Sequence, residues 1–144
     1  MFGSRQRADE LLDALNRHDL DRALRYYSDD AVLVSPMGVA EGPQGIAGYY
    51  ESYFKGFPDF CMTVWQRVLT GDPVFTEWTA TGTHTGPFPL PDGGVLHETG
   101  RRITVRGCGT CAVRGGKIIV HREYYDQLEL YSQLGFSMMP DADF

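Results

Sequence analysis

Apolar residues recur first with the period of a helix and later with that of a strand. Ala8, Leu11, Leu12 and Leu15 fall at i, i+3, i+4 and i+7, which predicts an amphipathic helix. Asn16-Arg17-His18-Asp19 breaks this stripe. Asp19 is placed to cap a second helix carrying Leu20, Ala23, Leu24 and Tyr27. Ser28-Asp29-Asp30 reads as a polar turn, and Ala31-Val32-Leu33-Val34 as a short strand stopped by Ser35-Pro36-Met37-Gly38. Gly42-Pro43 opens a third helix, because proline in a first turn has no amide bond to lose. Ile46, Tyr50, Tyr53, Phe54 and Phe57 share one face of it, and Gly56 and Pro58 end it.

From Asp59 the period falls to two. Phe60–Leu69, Val74–Thr85, Arg102–Val113 and Lys117–Tyr125 read as long strands, rich in Thr, Val and aromatic residues. Gly71-Asp72-Pro73 and Gly115-Gly116 read as the turns after the first and third of them. Between the second and third, three prolines in five residues predict an irregular loop over Gly86–Gly94. Asp126 and Glu129 have the spacing of a capping box for a last helix, Gln127–Leu134, closed by Gly135. The tail Phe136–Phe144 is expected to be mobile or to lie on the surface. Helices followed by a meander of strands define an α+β fold over one domain, residues 1–144. A curved sheet wrapped against helices leaves an open mouth, a favourable place for a pocket.

With 144 residues the chain can bury roughly 68–70% of its extended surface and needs no metal or disulfide to hold a core. Thirteen basic against nineteen acidic residues give a net charge of −6, which argues against nucleic acid and anionic membrane as partners. No apolar run approaches the roughly 20 residues of a membrane span. Met1–Arg7 turns polar at once, unlike a signal peptide, so a cytoplasmic location is expected, with Cys61, Cys108 and Cys111 reduced. Cys108 and Cys111 match a C-x-x-C spacing, but residues three apart on a strand point to opposite faces and cannot chelate together. Eight Tyr, eight Phe and two Trp supply large apolar surfaces, and Tyr and Trp add the polar tips that suit a ligand cavity.

Several segments resemble the SnoaL-like polyketide cyclase family of the nuclear transport factor 2-like superfamily. They are Asn16-Arg17-His18-Asp19-Leu20-Asp21, Tyr27-Ser28-Asp29-Asp30-Ala31-Val32, Trp78 through Gly86, Thr99-Gly100-Arg101-Arg102, and Gly116-Lys117-Ile118-Ile119 through His121-Arg122-Glu123 to Asp126, with Gln133-Leu134-Gly135. The resemblance implies a cone-shaped barrel, a curved and mainly antiparallel sheet wrapped around N-terminal helices. It also implies a homodimer formed through the sheet and no metal or organic cofactor. Well-known members close a ring by intramolecular aldol condensation of a polyketide ester. An aspartate on the last strand serves as acid/base there, and a histidine on the neighbouring strand assists. Those positions fall on Glu123 and Gly109, so the carboxylate is kept and the polar partner is lost. The ketosteroid isomerase branch carries its base where this chain has Ser35. The epoxide hydrolase branch needs an Asp beside an Arg such as Arg106, and the strand around Arg106 has none.

The residues themselves point the same way. His121, Glu123 and Tyr125 alternate on one face of their strand, with Ile118, Val120, Arg122 and Tyr124 on the other. A carboxylate among aromatic rings is suited to removing a proton next to a carbonyl. The competing reading is a strand-edge glutamate paired with Arg106 or Arg122. His121 is expected to orient the carboxylate or bind a substrate oxygen, or else to be a satisfied core histidine. Tyr27, Met37, Tyr50, Tyr53, Trp65, Trp78, His84 and Tyr125 are the candidate substrate-binding residues, with plain core, or for His84 a turn-stabilising role, as the alternative. The expected function is a cofactor-free acid/base enzyme acting on a small apolar carbonyl compound. The alternatives are a non-catalytic domain for ligand binding or assembly, and a hydrolase or isomerase using the same glutamate. A homodimer is expected through an outer sheet face carrying Phe75, Ile103 and Val105.

Overall fold

The structure, a computed structural model, describes residues 3–69 and 72–142. The predicted turn at Gly71 and the last two residues of the tail lie outside that range. Helices α1 (Ser4–Asn16) and α2 (Leu20–Leu24) come first, followed by strands β1 (Tyr27–Ser35) and β2 (Gly38–Glu41) and helix α3 (Gly42–Gly56). Strands β3 (Cys61–Leu69), β4 (Val74–Thr83), β5 (Phe88–Pro89), β6 (Val95–Leu96), β7 (Arg102–Arg114) and β8 (Lys117–Tyr125) lead to helix α4 (Gln127–Gln133). Six strands form one curved, unclosed sheet in the order β2-β1-β8-β7-β4-β3, parallel only between β1 and β8. This is the α+β architecture expected, with the N-terminal helices and α3 against one sheet face.

The helix boundaries follow from local chemistry. The Asp19 carboxylate accepts the Arg22 amide at 3.1 Å and caps α2. The break before it is held by Asn16, which exchanges two hydrogen bonds with the Met62 backbone at 2.8 and 2.9 Å and so pins the end of α1 to β3. The Asp126 carboxylate caps α4 through the Leu128 amide at 2.8 Å. The capping box is not completed, because Glu129 instead receives the Arg106 guanidinium at 3.0 Å.

Non-local pairing overrides the local pattern in three places. The second helix ends at Leu24, and Tyr27 with Ser28-Asp29-Asp30 belongs to β1, because Tyr27 pairs with Ile118 across the parallel β1–β8 ladder. Val39 to Glu41, unassigned by periodicity, hydrogen bonds back on β1 as a hairpin strand. The proline-rich loop contains a short ladder, Phe88 and Pro89 against Leu96 and Val95.

Two bulges change which face a residue takes. Val64 pairs with Trp78 but Gln66 with Glu77, leaving Trp65 unpaired, 64% exposed, its indole donating to the Thr79 hydroxyl on the outer face. On β8, Val113 pairs with Ile118 but Ala112 with Val120, so Ile119 is the extra residue. Ile118 therefore turns inward and is fully buried, contrary to simple alternation. The expected outer patch is also corrected. Ile103 and Val105 pair with Gly82 and Ala80 and are buried on the inner face, so of the three only Phe75 lies on the outer one.

The interior holds two apolar clusters. One gathers Leu11, Leu15, Leu33, Ile46, Tyr50 and Ile118 between α1, α3 and the sheet. The other gathers Tyr53, Phe57, Phe88, Ile103, Leu130 and Leu134 towards α4. Successive turns of α3 thus feed different clusters, and Glu123 projects between them.

Candidate active site

Strand β8 aims His121, Glu123 and Tyr125 at the inner face, where α3 lies across them. The Glu123 side chain is only 12% exposed, and both of its oxygens hold donors. The Trp78 indole donates to Oε2 at 2.8 Å, and His121 Nε2 contacts Oε1. Neither Arg106 nor Arg122 pairs with it. Arg106 points outward to Glu129, which also removes it from any arginine-dependent chemistry in the interior.

A hydroxyl chain continues from the other side of the imidazole. Tyr27 Oη lies 2.7 Å from His121 Nδ1 and 2.7 Å from Tyr50 Oη. Burial pushes the Tyr50 phenol up to about 12 and raises Tyr27 well above its ordinary value, so both stay protonated donors. Burial acts to lower the His121 pKa, but its polar surroundings, of which the Glu123 carboxylate is the charged member, outweigh that effect. The net result is a pKa well above 6.5. The pair is therefore an imidazolium beside a carboxylate, sealed by aromatic rings.

Glycines make room for it. Gly109 pairs directly with Glu123, and a Cβ there would lie 2.5 Å from the Arg122 carbonyl oxygen and 2.6 Å from Glu123 Oε2. A Cβ at Gly107 would lie 2.4 Å from the Trp78 ring. Bare backbone at 107 and 109 lets the indole and the carboxylate lie flat on β7. The imidazole sits two residues before Glu123 on the same strand, not across from it at position 109.

A second set of hydroxyls stands beside the first. Tyr53 Oη and Tyr49 Oη lie 2.6 and 3.1 Å from Tyr125 Oη. Between the two sets is a cavity of about 60 Å³, lined by Tyr50, Tyr53, Trp78, Ile103, Glu123 and Tyr125 among others, in which Glu123 is the sole carboxylate among the described residues. A smaller one of about 40 Å³ lies behind Glu123 towards α1 and reaches Cys111 and His121.

Tyr50, Tyr53, Trp78, Glu123 and Tyr125 thus meet at one cavity, with Tyr27 and His121 behind it. Met37 stands outside, in a cleft beyond Tyr49 and Tyr53, where its sulfur receives the Gln127 amide at 3.3 Å. Trp65 and His84 are not part of the cavity. Trp65 follows the inward-facing Val64 and points outward, and His84 is fully buried just after β4, its Nδ1 accepting the Thr99 amide at 3.1 Å. Tyr49 and Cys111 were missed. The four-residue spacing of Tyr49 and Tyr53 could have revealed the first. The second needs the cross-strand pairing of Cys111 with His121. Cys108 and Cys111 are free thiols on opposite faces. Among the described residues no group of three or more His, Cys, Asp or Glu could hold a metal ion, and no helix is long and apolar enough to cross a membrane.

Comparison with known proteins gives consistent relatives. The model of the SnoaL-like polyketide cyclase family matches residues 5–134. The structure of IdmH, a candidate polyketide cyclase from Streptomyces antibioticus, is 29% identical with a TM-score of 0.76, over 92% of this chain and 99% of that one. AclR, a candidate hydroxylase from Streptomyces galilaeus, is 25% identical with a TM-score of 0.79, over 92% and 95%. An epoxide hydrolase of M. tuberculosis shares the fold at 20% identity and a TM-score of 0.67, over 90% and 86%. No curated protein matches.

Proposed function

The chain belongs to the SnoaL-like polyketide cyclase family, and we propose that it is an acid/base enzyme that removes a proton next to the carbonyl of an apolar, polyketide-like ester and closes a ring by aldol condensation. The observation that carries this reading is the Glu123 carboxylate, largely buried, facing an apolar cavity and held by Trp78 and His121. Without a task, a buried carboxylate is costly and would be replaced by an apolar residue. Glu123 takes the α-proton. The His121 imidazolium fixes the carboxylate and offsets the negative charge that develops on the enolate, and the phenols of Tyr50, Tyr53 and Tyr125 are donors for its oxygen. The enolate carbon then attacks a second carbonyl of the same chain, and the proton held by Glu123 passes to the new alkoxide. The reaction is read as cofactor-free, since every proton has a place on these side chains.

The test is exchange of α-protons with deuterium oxide in an aromatic β-keto ester, followed by NMR. The wild type should accelerate exchange, and Glu123→Gln, which keeps volume and removes the base, should lower the rate by roughly 10²–10⁴-fold with the fold intact. Exchange at the same rate in both proteins would overturn the assignment. The rival reading, a non-catalytic binding domain, draws on the fact that both Glu123 oxygens already hold donors. It predicts no exchange above background, with ligand affinity unchanged in the variant.

The protein is further read as a cytoplasmic homodimer. Free thiols suit a reducing compartment, and Trp65, Val68 and Phe75 put apolar side chains on the outer sheet face. Sedimentation at micromolar concentration should show a dimer, and a monomer would contradict it.

A further inference from the structure

Three phenols, those of Tyr50, Tyr53 and Tyr125, line the cavity beside Glu123, and their protons are not equally free. A phenol brings one proton to give and an oxygen that accepts. Around Tyr125 three phenols share two contacts, to Tyr53 at 2.6 Å and to Tyr49 at 3.1 Å. One proton is left over there, and no charge decides which ring keeps it. The chain behind Glu123 differs, because a cation stands at its head. His121 Nε2 meets the carboxylate, and Nδ1 lies 2.7 Å from Tyr27 Oη, itself 2.7 Å from Tyr50 Oη.

An imidazolium has no acceptor nitrogen, so Nδ1 must donate to Tyr27. The Tyr27 proton is thereby turned onto Tyr50, whose oxygen accepts it. Tyr50 Oη also lies 3.5 Å from Nδ1, where it again meets a proton and not an acceptor. The Tyr50 proton then has no taker among the described residues and is left for the cavity that Tyr50 lines. Tyr27 is buried and lines neither that cavity nor the one behind Glu123. A neutral His121, protonated on Nε2 alone, would reverse the chain. Tyr27 would donate to Nδ1 and Tyr50 to Tyr27, and the cavity would lose this donor. The titratable groups that face His121 are Glu123 on its own strand, Tyr27 on β1, Tyr50 on α3 and Cys111 across on β7. Helix α1 brings only apolar side chains to the recess behind it, and Arg67 of β3, which also lines that recess, is paired with Asp9 at 2.7 Å.

We infer that Tyr50 is the catalytic donor to the substrate oxygen, and that Tyr27 is a positioning residue that keeps the Tyr50 proton turned into the cavity. The inference rests on the acid/base reading of Glu123 for the identity of that oxygen, the one on which enolate charge develops. The direction of the protons does not depend on it. The imidazolium thus serves twice, on the carboxylate through Nε2 and on the oxygen donor through Nδ1 and Tyr27. Removing its proton would cancel both services at once.

Neutron diffraction from deuterated crystals at pH 7.5 reads the chain directly. It should place the Tyr27 deuteron towards Tyr50 and the Tyr50 deuteron in the cavity. A Tyr50 deuteron directed at Tyr27 would overturn the inference. In the α-proton exchange assay, Tyr50→Phe should lower kcat by roughly 10²–10³-fold with KM changed by less than about threefold, as for a donor that acts in the transition state, and Tyr53→Phe should cost less than about tenfold. Full kcat in a folded Tyr50→Phe protein, or a larger loss in Tyr53→Phe, would also overturn it. In Tyr27→Phe the Nδ1 proton loses its acceptor, so the ring-nitrogen titration of His121, followed by NMR, should move to lower pH. An unchanged or raised midpoint would mean that Tyr27 only fills space or donates to the ring, and the positioning role would fall. Background exchange in the wild type, with the Tyr50 deuteron in the cavity, would support the relay and count against the acid/base reading alone.

Discussion

Two histidines are buried in this molecule, and their surroundings give them opposite tasks. His121 stands among groups that favour its cation: the Glu123 carboxylate on Nε2 and the Tyr27 oxygen, an acceptor, on Nδ1. His84 sits at the other end of the sheet between the rings of Phe57 and Phe88. Its Nδ1 accepts the Thr99 amide, and its Nε2 has no partner among the described residues. An atom that accepts a backbone amide cannot also carry a proton, so His84 stays neutral, and burial lowers its pKa. One histidine belongs to a charged pair facing a cavity, and the other is a clip joining β4 to the start of β7. Burial alone therefore says little about a histidine, and the decision lies with what faces its two nitrogens.

Breaking the first arrangement should have the largest effect. His121→Leu leaves Glu123 charged and half-partnered in an apolar site, and should cost about 3–5 kcal/mol in chemical denaturation at pH 6. The sign of its pH dependence follows from the raised pKa. The stabilisation that His121 provides is complete below about 6.5, the value in the unfolded chain, and disappears as the pH climbs through the raised folded value. The difference between wild type and variant should therefore shrink towards alkaline pH. Crowding the pair should have a smaller effect. Gly109→Ala puts a Cβ against the Arg122 carbonyl and the Glu123 carboxylate, and should lower stability by about 1–3 kcal/mol by the same measurement. The smallest effect belongs to His84. Its lowered pKa means that the unfolded chain binds a proton more readily below about 6.5, so stability falls as the pH drops from there towards 5. His84→Asn keeps an acceptor for Thr99 and removes the titration. Its melting temperature should fall less than that of the wild type on acidification, by roughly a few degrees.

The contrast between these sites also marks what could be read from the chain alone. Alternation along β8 is enough to put His121, Glu123 and Tyr125 on one face, and helical spacing is enough to bring Tyr50 and Tyr53 over them. Neither reveals that Tyr27 belongs to a strand, because its partner Ile118 lies 91 residues away in sequence and only the parallel ladder joins them. The bulges at Trp65 and Ile119 each shift a register by one residue, and one residue reverses every face that follows or precedes. That is why Ile118 turns in, while Trp65, a candidate wall residue, follows the inward-facing Val64 and stands outside. His84 followed the inner parity of Trp78, Ala80 and Gly82, and it is indeed inside. Parity cannot tell a cavity wall from solid core, and there Phe57 and Phe88 close over it.

The charged state of the two histidines can be read side by side in a single experiment. In ¹⁵N-labelled protein at pH 7.5, the ring-nitrogen NMR spectrum should show His121 protonated on both nitrogens and His84 protonated on Nε2 alone. A neutral His121, matching His84, would mean that Glu123 has no imidazolium beside it, and would contradict the acid/base pair on which the account depends.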